Sequence, residues 1–178
     1  MFTLPCIGMF YHDVAALLKN AKYAAVIHVK INPEFNIYLD QDENVVALEC
    51  LNADAKDAYG KKSFAGKTLD ETLQTVVSIA AEEGYMKEDQ TVALTITECT
   101  TDLNATELQM KMDSVVTEAA KEQNITVTTA MDMSEAVRTA QKEAGLIKQA
   151  CSNCNGIGDC PVCGGSFKCV VCGGSGTL

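Results

Sequence analysis

Three Cys-x-x-Cys pairs, Cys151/Cys154, Cys160/Cys163 and Cys169/Cys172, occupy residues 151–178, with five residues between successive pairs and glycines after each. No ordinary core can form there. The sizeable apolar side chains are Ile157, Val162, Phe167, Val170 and Val171, too few for burial alone to offset the entropy of ordering the backbone. Bonds to sulfur have to hold the segment. A Cys-x-x-Cys turn aims two thiolates at one ion, and two such turns complete a tetrahedral Zn²⁺ shell whose binding energy becomes folding energy. We therefore expect a small irregular zinc-binding tail with Cys151, Cys154, Cys160, Cys163, Cys169 and Cys172 as ligands. Disulfide stapling is the alternative, with the pairing left open. Six thiolates do not divide into sets of four, so one pair is left over or two ions share bridging sulfurs.

The outer segments, Cys-Ser-Asn-Cys-Asn-Gly-Ile-Gly at 151–158 and Cys-Val-Val-Cys-Gly-Gly-Ser-Gly at 169–176, both fit C-x-x-C-x-G-x-G. In this the tail resembles the cysteine-rich repeats of DnaJ-type co-chaperones. That family usually carries four repeats, which share zinc by alternate pairing; this chain has three, the middle one reading Cys-Pro-Val-Cys-Gly-Gly-Ser-Phe. By analogy, the resemblance joins Cys151, Cys154, Cys169 and Cys172 and leaves Cys160/Cys163 as a redox couple, half of an intermolecular site or part of a bridged cluster.

The chain has 178 residues, 47% of them apolar, enough for one ordinary domain ahead of the tail. We divide it into an N-terminal segment (1–22), an α+β domain (23–150) and the cysteine-rich tail (151–178). The net charge of −10 lies wholly outside the tail, where Asp159 and Lys168 cancel, so phosphate backbones would be repelled and nucleic acid is not an expected partner. No run of about 20 apolar residues could span a membrane. The apolar opening, Met1 to Tyr11, lacks the basic start of a signal peptide, so the chain as written reads as cytoplasmic, or extracytoplasmic had an anchor been lost. Paired thiols and the isolated Cys6, Cys50 and Cys99 suit a reducing compartment.

Between the termini, hydrophobic periodicity supplies the fold. A short helix is predicted over 12–21, then Tyr23, Ala25, Ile27, Val29 and Ile31 alternate with wetter positions that include His28, the pattern of a half-buried strand. Phe35, Ile37 and Leu39 mark a second strand after Asn32-Pro33, and a polar turn at 41–44 leads to a third over 45–51. Thr68 and Glu71 form a capping box for a helix to Glu83, with Leu69, Leu73, Val76, Val77 and Ala80 inward and Gly84 ending it. Val92, Leu94 and Ile96 give a fourth strand. Asn104 with Glu107 starts a helix whose inward face is Leu108, Met112, Val115, Val116 and Ala119, and Ile125 and Val127 suggest a fifth strand. A last helix, Ser134 to Lys148, is expected to turn Ala136, Val137, Ala140 and Ala144 inward. The order implies α+β, a mostly antiparallel sheet with helices on one face.

Val29 to Asn52 reads Val-Lys-Ile-Asn-Pro-Glu-Phe-Asn-Ile-Tyr-Leu-Asp-Gln-Asp-Glu-Asn-Val-Val-Ala-Leu-Glu-Cys-Leu-Asn. This run resembles the extracytoplasmic, autoproteolytic, SEA-like middle domain of RsgI-type anti-sigma factors, and the likeness continues through Gly66-Lys67-Thr68-Leu69 to Gly84-Tyr85. Lys30 and Glu34 depart from that family's usual acidic and small hydroxyl residues. The resemblance implies self-cleavage at Asn32-Pro33. The residue types make chemical sense of it. Pro33 has no N–H with which to attack the Asn32 side chain, so the open route is attack by the Asn32 amide on its own carbonyl, expelling the Pro33 nitrogen.

Other residues point to ordinary roles. His12 and His28 have no ligand partner at a recognisable spacing, Cys50 falls with Val46 and Leu48 on one strand face, and Cys6 and Cys99 lack a basic neighbour to activate them. Gly66-Lys67-Thr68 reads as a helix start rather than a phosphate loop. The expected function is a non-enzymatic protein-interaction or signalling module with a protein partner, oligomeric state open; the alternative is a co-chaperone-like or thiol-redox protein acting through the Cys-x-x-Cys repeats.

Overall fold

A computed structural model describes residues 22–146. The expected helix over 12–21 and the whole cysteine tail lie outside these residues. Five strands, β1 (Ala25–Lys30), β2 (Glu34–Leu39), β3 (Val45–Cys50), β4 (Gln90–Cys99) and β5 (Val127–Met133), form one sheet in the order β3-β2-β1-β4-β5. Four helices accompany them: α1 (Ala53–Tyr59), α2 (Leu69–Glu82), α3 (Ala105–Glu122) and α4 (Glu135–Glu143).

The α+β class and the meander β1-β2-β3 match the periodicity. All pairings are antiparallel except β4 with β5, which is parallel, so the sheet is mixed. The connection explains the exception. Helix α3 carries the chain from the end of β4 back to the end where β4 began, so β5 must run the same way as β4.

Alternation along the strands builds the core. Ile27, Val29, Phe35, Ile37, Leu39, Val92, Leu94 and Ile96 share one face and are buried against Leu69, Leu73, Val76, Leu108, Met112 and Val116 of the helices. His28, Asn36, Tyr38, Glu49 and Thr95 lie on the other face. There Tyr38 donates to Glu49 Oε2 at 2.8 Å, and burial first, then that bond, pushes its phenol up to about 12.

Helix α1 was not expected. Its signal is short: Asn52 as cap, then Ala55, Ala58 and Tyr59 as the buried face. Tyr59 decides its position, with its ring edge-on to Phe35 of β2 at 5.1 Å and its hydroxyl donating to the Val76 carbonyl of α2 at 3.1 Å.

Helix α2 begins as predicted, with Thr68 Oγ1 accepting from Glu71 N–H at 3.2 Å and Glu71 Oε2 accepting from Thr68 N–H at 3.1 Å. Thr68→Ala is expected to cost about 1 kcal/mol, read as a lower urea midpoint at unchanged slope.

Helix α4 departs from expectation. Val137 is buried, but Ala136 and Ala144 are exposed, and the inward residue one turn after Val137 is Gln141. Polar anchoring is the reason. Gln141 Oε1 accepts from Ala105 N–H at 3.1 Å, while Nε2 donates to the carbonyls of Thr100 at 3.0 Å and Leu103 at 2.7 Å. The helix is thus seated on the loop that starts α3, and an alanine stripe has no part in it. Gly145, at φ +71°, follows its end.

Candidate functional site

The turn between β1 and β2 is Ile31-Asn32-Pro33, closed by the cross-strand pair Lys30 and Glu34 and by a bond from Ile31 N–H to the Pro33 carbonyl at 3.0 Å. Lys30 and Glu34 therefore meet as one cross-strand pair of opposite charge. Glu34 also bonds His28 Nε2 at 2.9 Å on the same sheet face.

Asn32 adopts φ +62°. Asparagine tolerates this left-handed region better than most residues, yet the position before a proline is pushed towards extended backbone by the ring. Local strain of order 1–3 kcal/mol therefore sits beside the Asn32–Pro33 peptide. Asn32 is exposed, whereas Ile31 and Pro33 on either side of it are buried, so the turn presents one side chain outward from a fixed base.

Two residues from other elements hold this turn. Gln90, at the start of β4, donates through Nε2 to the Ile31 carbonyl, a reach made possible because β4 lies antiparallel beside β1. Asn52, two residues beyond β3 and the cap of α1, donates through Nδ2 to Asn32 Oδ1 at 3.2 Å and accepts through Oδ1 from Glu34 N–H at 3.2 Å and Ala55 N–H at 2.9 Å. Neither residue was singled out by sequence. Asn52 was readable only as the end of a strand, though an Asn before Ala-Asp-Ala-Lys-Asp-Ala-Tyr is also a helix cap signal.

The pair Asn32 and Pro33 is thus the one predicted site within the described residues. Cys151, Cys154, Cys160, Cys163, Cys169 and Cys172, with Cys6 and His12, lie outside them. Cys50 is half-buried on the core side of β3, paired with Phe35, with Sγ 3.2 Å from the Ala55 carbonyl. The register shifts between Tyr38 and Leu39, so Leu39 pairs with Val45, Tyr38 with Ala47, and the half-buried Val46 falls between them. Burial pushes the Cys99 thiol up to about 11, the opposite of activation. Among the described residues no group of three or more His, Cys, Asp or Glu could hold a metal ion, and no helix is long and apolar enough to cross a membrane.

The model of the anti-sigma factor RsgI-like central domain matches residues 24–151, which takes in every strand and helix described above. The chain belongs to this family. The chain is similar to the anti-sigma-I factor RsgI of Bacillus anthracis, 29% identical over 75 residues, or 42% of this chain and 17% of that protein. It is also similar to the anti-sigma-I factor RsgI3 of Acetivibrio thermocellus, 33% identical over 67 residues, or 38% of this chain and 10% of that protein. The matched stretches span less than a fifth of either relative's length.

Proposed function

We propose that this chain is a non-enzymatic regulatory module of the anti-sigma type, acting through protein contacts, whose β1–β2 turn cleaves itself once between Asn32 and Pro33. Family membership supports the regulatory role, and both relatives are named as anti-sigma-I factors, which makes a sigma factor the protein class to test as a partner. One observation carries the cleavage: Asn32 sits at φ +62° immediately before Pro33, with its side-chain oxygen already engaged by Asn52.

The step balances without any cofactor. Asn32 Nδ2 attacks the Asn32 carbonyl carbon, the bond from that carbon to the Pro33 nitrogen breaks, and the Nδ2 proton passes to the leaving nitrogen. The first piece ends in a cyclic succinimide and the second begins with the secondary amine of Pro33. Reaction within one residue gains from orientation, the term in which intramolecular attack exceeds its free counterpart.

Purified parent protein, incubated and weighed intact, is expected to give two pieces split between Asn32 and Pro33. The first piece should be one water lighter than the product of hydrolysis, a signature no contaminating protease produces. Asn32→Ala should remain whole. A parent that keeps its full mass, or an Asn32→Ala protein cut at the same bond, overturns the reading.

The six tail cysteines extend the proposal: zinc held by Cys-x-x-Cys pairs would give that segment a rigid surface for the same protein contacts. Elemental analysis with thiol counting is expected to find zinc bound to reduced protein. A single zinc with two reactive tail thiols, located at Cys160 and Cys163 by peptide mapping after alkylation, would place that pair outside the site, and disulfides without metal would remove the zinc reading.

A further inference from the structure

We infer that Asn52 is a positioning residue for cleavage at Asn32–Pro33, orienting the Asn32 amide so that its nitrogen rather than its oxygen is left to attack. The inference rests on the self-cleavage reading above.

Hydrogen-bond chemistry alone fixes the orientation. Asn52 faces two backbone N–H groups, those of Glu34 and Ala55, at 3.2 and 2.9 Å. An N–H can only donate, so the Asn52 atom facing both is Oδ1, and its Nδ2 must point the other way. That nitrogen can also only donate, so the Asn32 atom at 3.2 Å is Oδ1. Asn32 Nδ2 is then left with no hydrogen-bond partner among the described residues. An unassisted Asn amide presents oxygen or nitrogen with equal ease. Asn52 removes that freedom.

It also grips the chain on both sides of the bond to be broken. Asn32 supplies the carbonyl of that bond, and Glu34 is the residue after Pro33. Asn52 itself is set by two elements: Leu51 N–H donates to the Glu34 carbonyl at 2.9 Å, and the Asn52 side chain caps α1. Folding of α1 and correct aim at the turn are therefore one event.

Three proteins test this, namely the parent, Asn52→Ser and Asn52→Asp. Asn, Asp and Ser are comparable helix caps, so a role confined to capping α1 predicts equal stability and equal cleavage for all three. Positioning predicts an order. Serine caps but is too short to reach Asn32, so the amide is no longer aimed and cleavage slows. Aspartate caps and reaches, but offers an oxygen where the parent offers an N–H, so it draws Asn32 Nδ2 towards itself and occupies the nucleophile. Misplacing a reacting group can cost on the order of a hundredfold, and Asn52→Asp should approach that loss while its thermal midpoint stays near the parent's.

Rates are read as intact mass against time, with circular dichroism melts alongside. The rate order parent, then Ser, then Asp, at matched midpoints, supports positioning. Equal rates for parent and Asn52→Asp overturn it while leaving self-cleavage standing. Should the parent itself never cleave, the cleavage reading falls and this inference falls with it.

Discussion

Once cleaved, the piece ending at Asn32 is expected to elute together with the piece beginning at Pro33 in native gel filtration, and to separate from it only in denaturant. The sheet order is the cause. The first piece contributes β1, and β1 lies in the middle of the sheet with β2 on one side and β4 on the other. Every described β1 residue from Ala25 to Lys30 is in register with a partner on each side. Ala25, Ile27, Val29 and Ile31 are also buried in the core. At roughly 1.5–3 kcal/mol for each large buried side chain, Ile27, Val29 and Ile31 alone oppose release by about 5 kcal/mol or more. Breaking one peptide in the adjoining turn removes none of these contacts. Two separate native peaks, or loss of the first piece on dialysis, would show that β1 is not held as the sheet requires.

On the proposed cleavage, breaking the turn alone leaves the sheet paired, and a change of state would require withdrawal of β1. Because β1 supplies the core of the sheet, its removal unfolds the remainder and cannot be a small adjustment.

Replacing Gln141 is expected to have the second large effect. Gln141 is fully buried at 0% exposure, and it satisfies three backbone groups: Ala105 N–H and the carbonyls of Thr100 and Leu103. Gln141→Leu keeps the volume but strands the buried Ala105 N–H and removes one bond each from the Thr100 and Leu103 carbonyls, which keep the Cys99 thiol, and for Thr100 the Leu103 N–H at 3.4 Å, as other partners. One stranded buried donor costs about 1–3 kcal/mol and each lost bond to a carbonyl about 0.5–1.5 kcal/mol, so a loss of about 2 kcal/mol or more is expected, seen as a lower urea midpoint at unchanged slope. Ala136→Ser, one of the exposed positions on the same helix, should move stability by no more than about 0.5 kcal/mol. A Gln141→Leu protein as stable as its parent would mean that α4 docks through Val137 alone.

Much of this fold is legible in the residues because burial and backbone geometry leave local marks. Period-two alternation placed β1, β2, β3 and β4 on the chain, and the Thr68/Glu71 capping box placed the start of α2. Helix α1 escaped because a helix of seven residues holds too few turns for a period to stand out from its neighbours. The face of α4 was misassigned because alanine is a weak reporter of burial, whereas a glutamine can be buried wherever three backbone groups need it. The β1–β2 turn itself was visible as Asn32-Pro33. Its holding residues, Asn52 and Gln90, were not, since they lie 20 and 58 positions from Asn32 in the sequence (52 − 32 and 90 − 32) and meet it only through strand pairing.

The sequence by itself thus determined the class of fold, the apolar faces of α2 and α3, the Asn-Pro dipeptide at the turn, and the cysteine spacing of the tail. Each of these is a local property: a period, a cap, a missing N–H, a pair of thiols. Tertiary structure alone decided that β5 runs parallel to β4 and that β1 lies at the centre of the sheet. Those depend on which distant segments share hydrogen bonds, and a hydrogen bond between strands leaves no trace in the residues that make it through backbone atoms common to all of them.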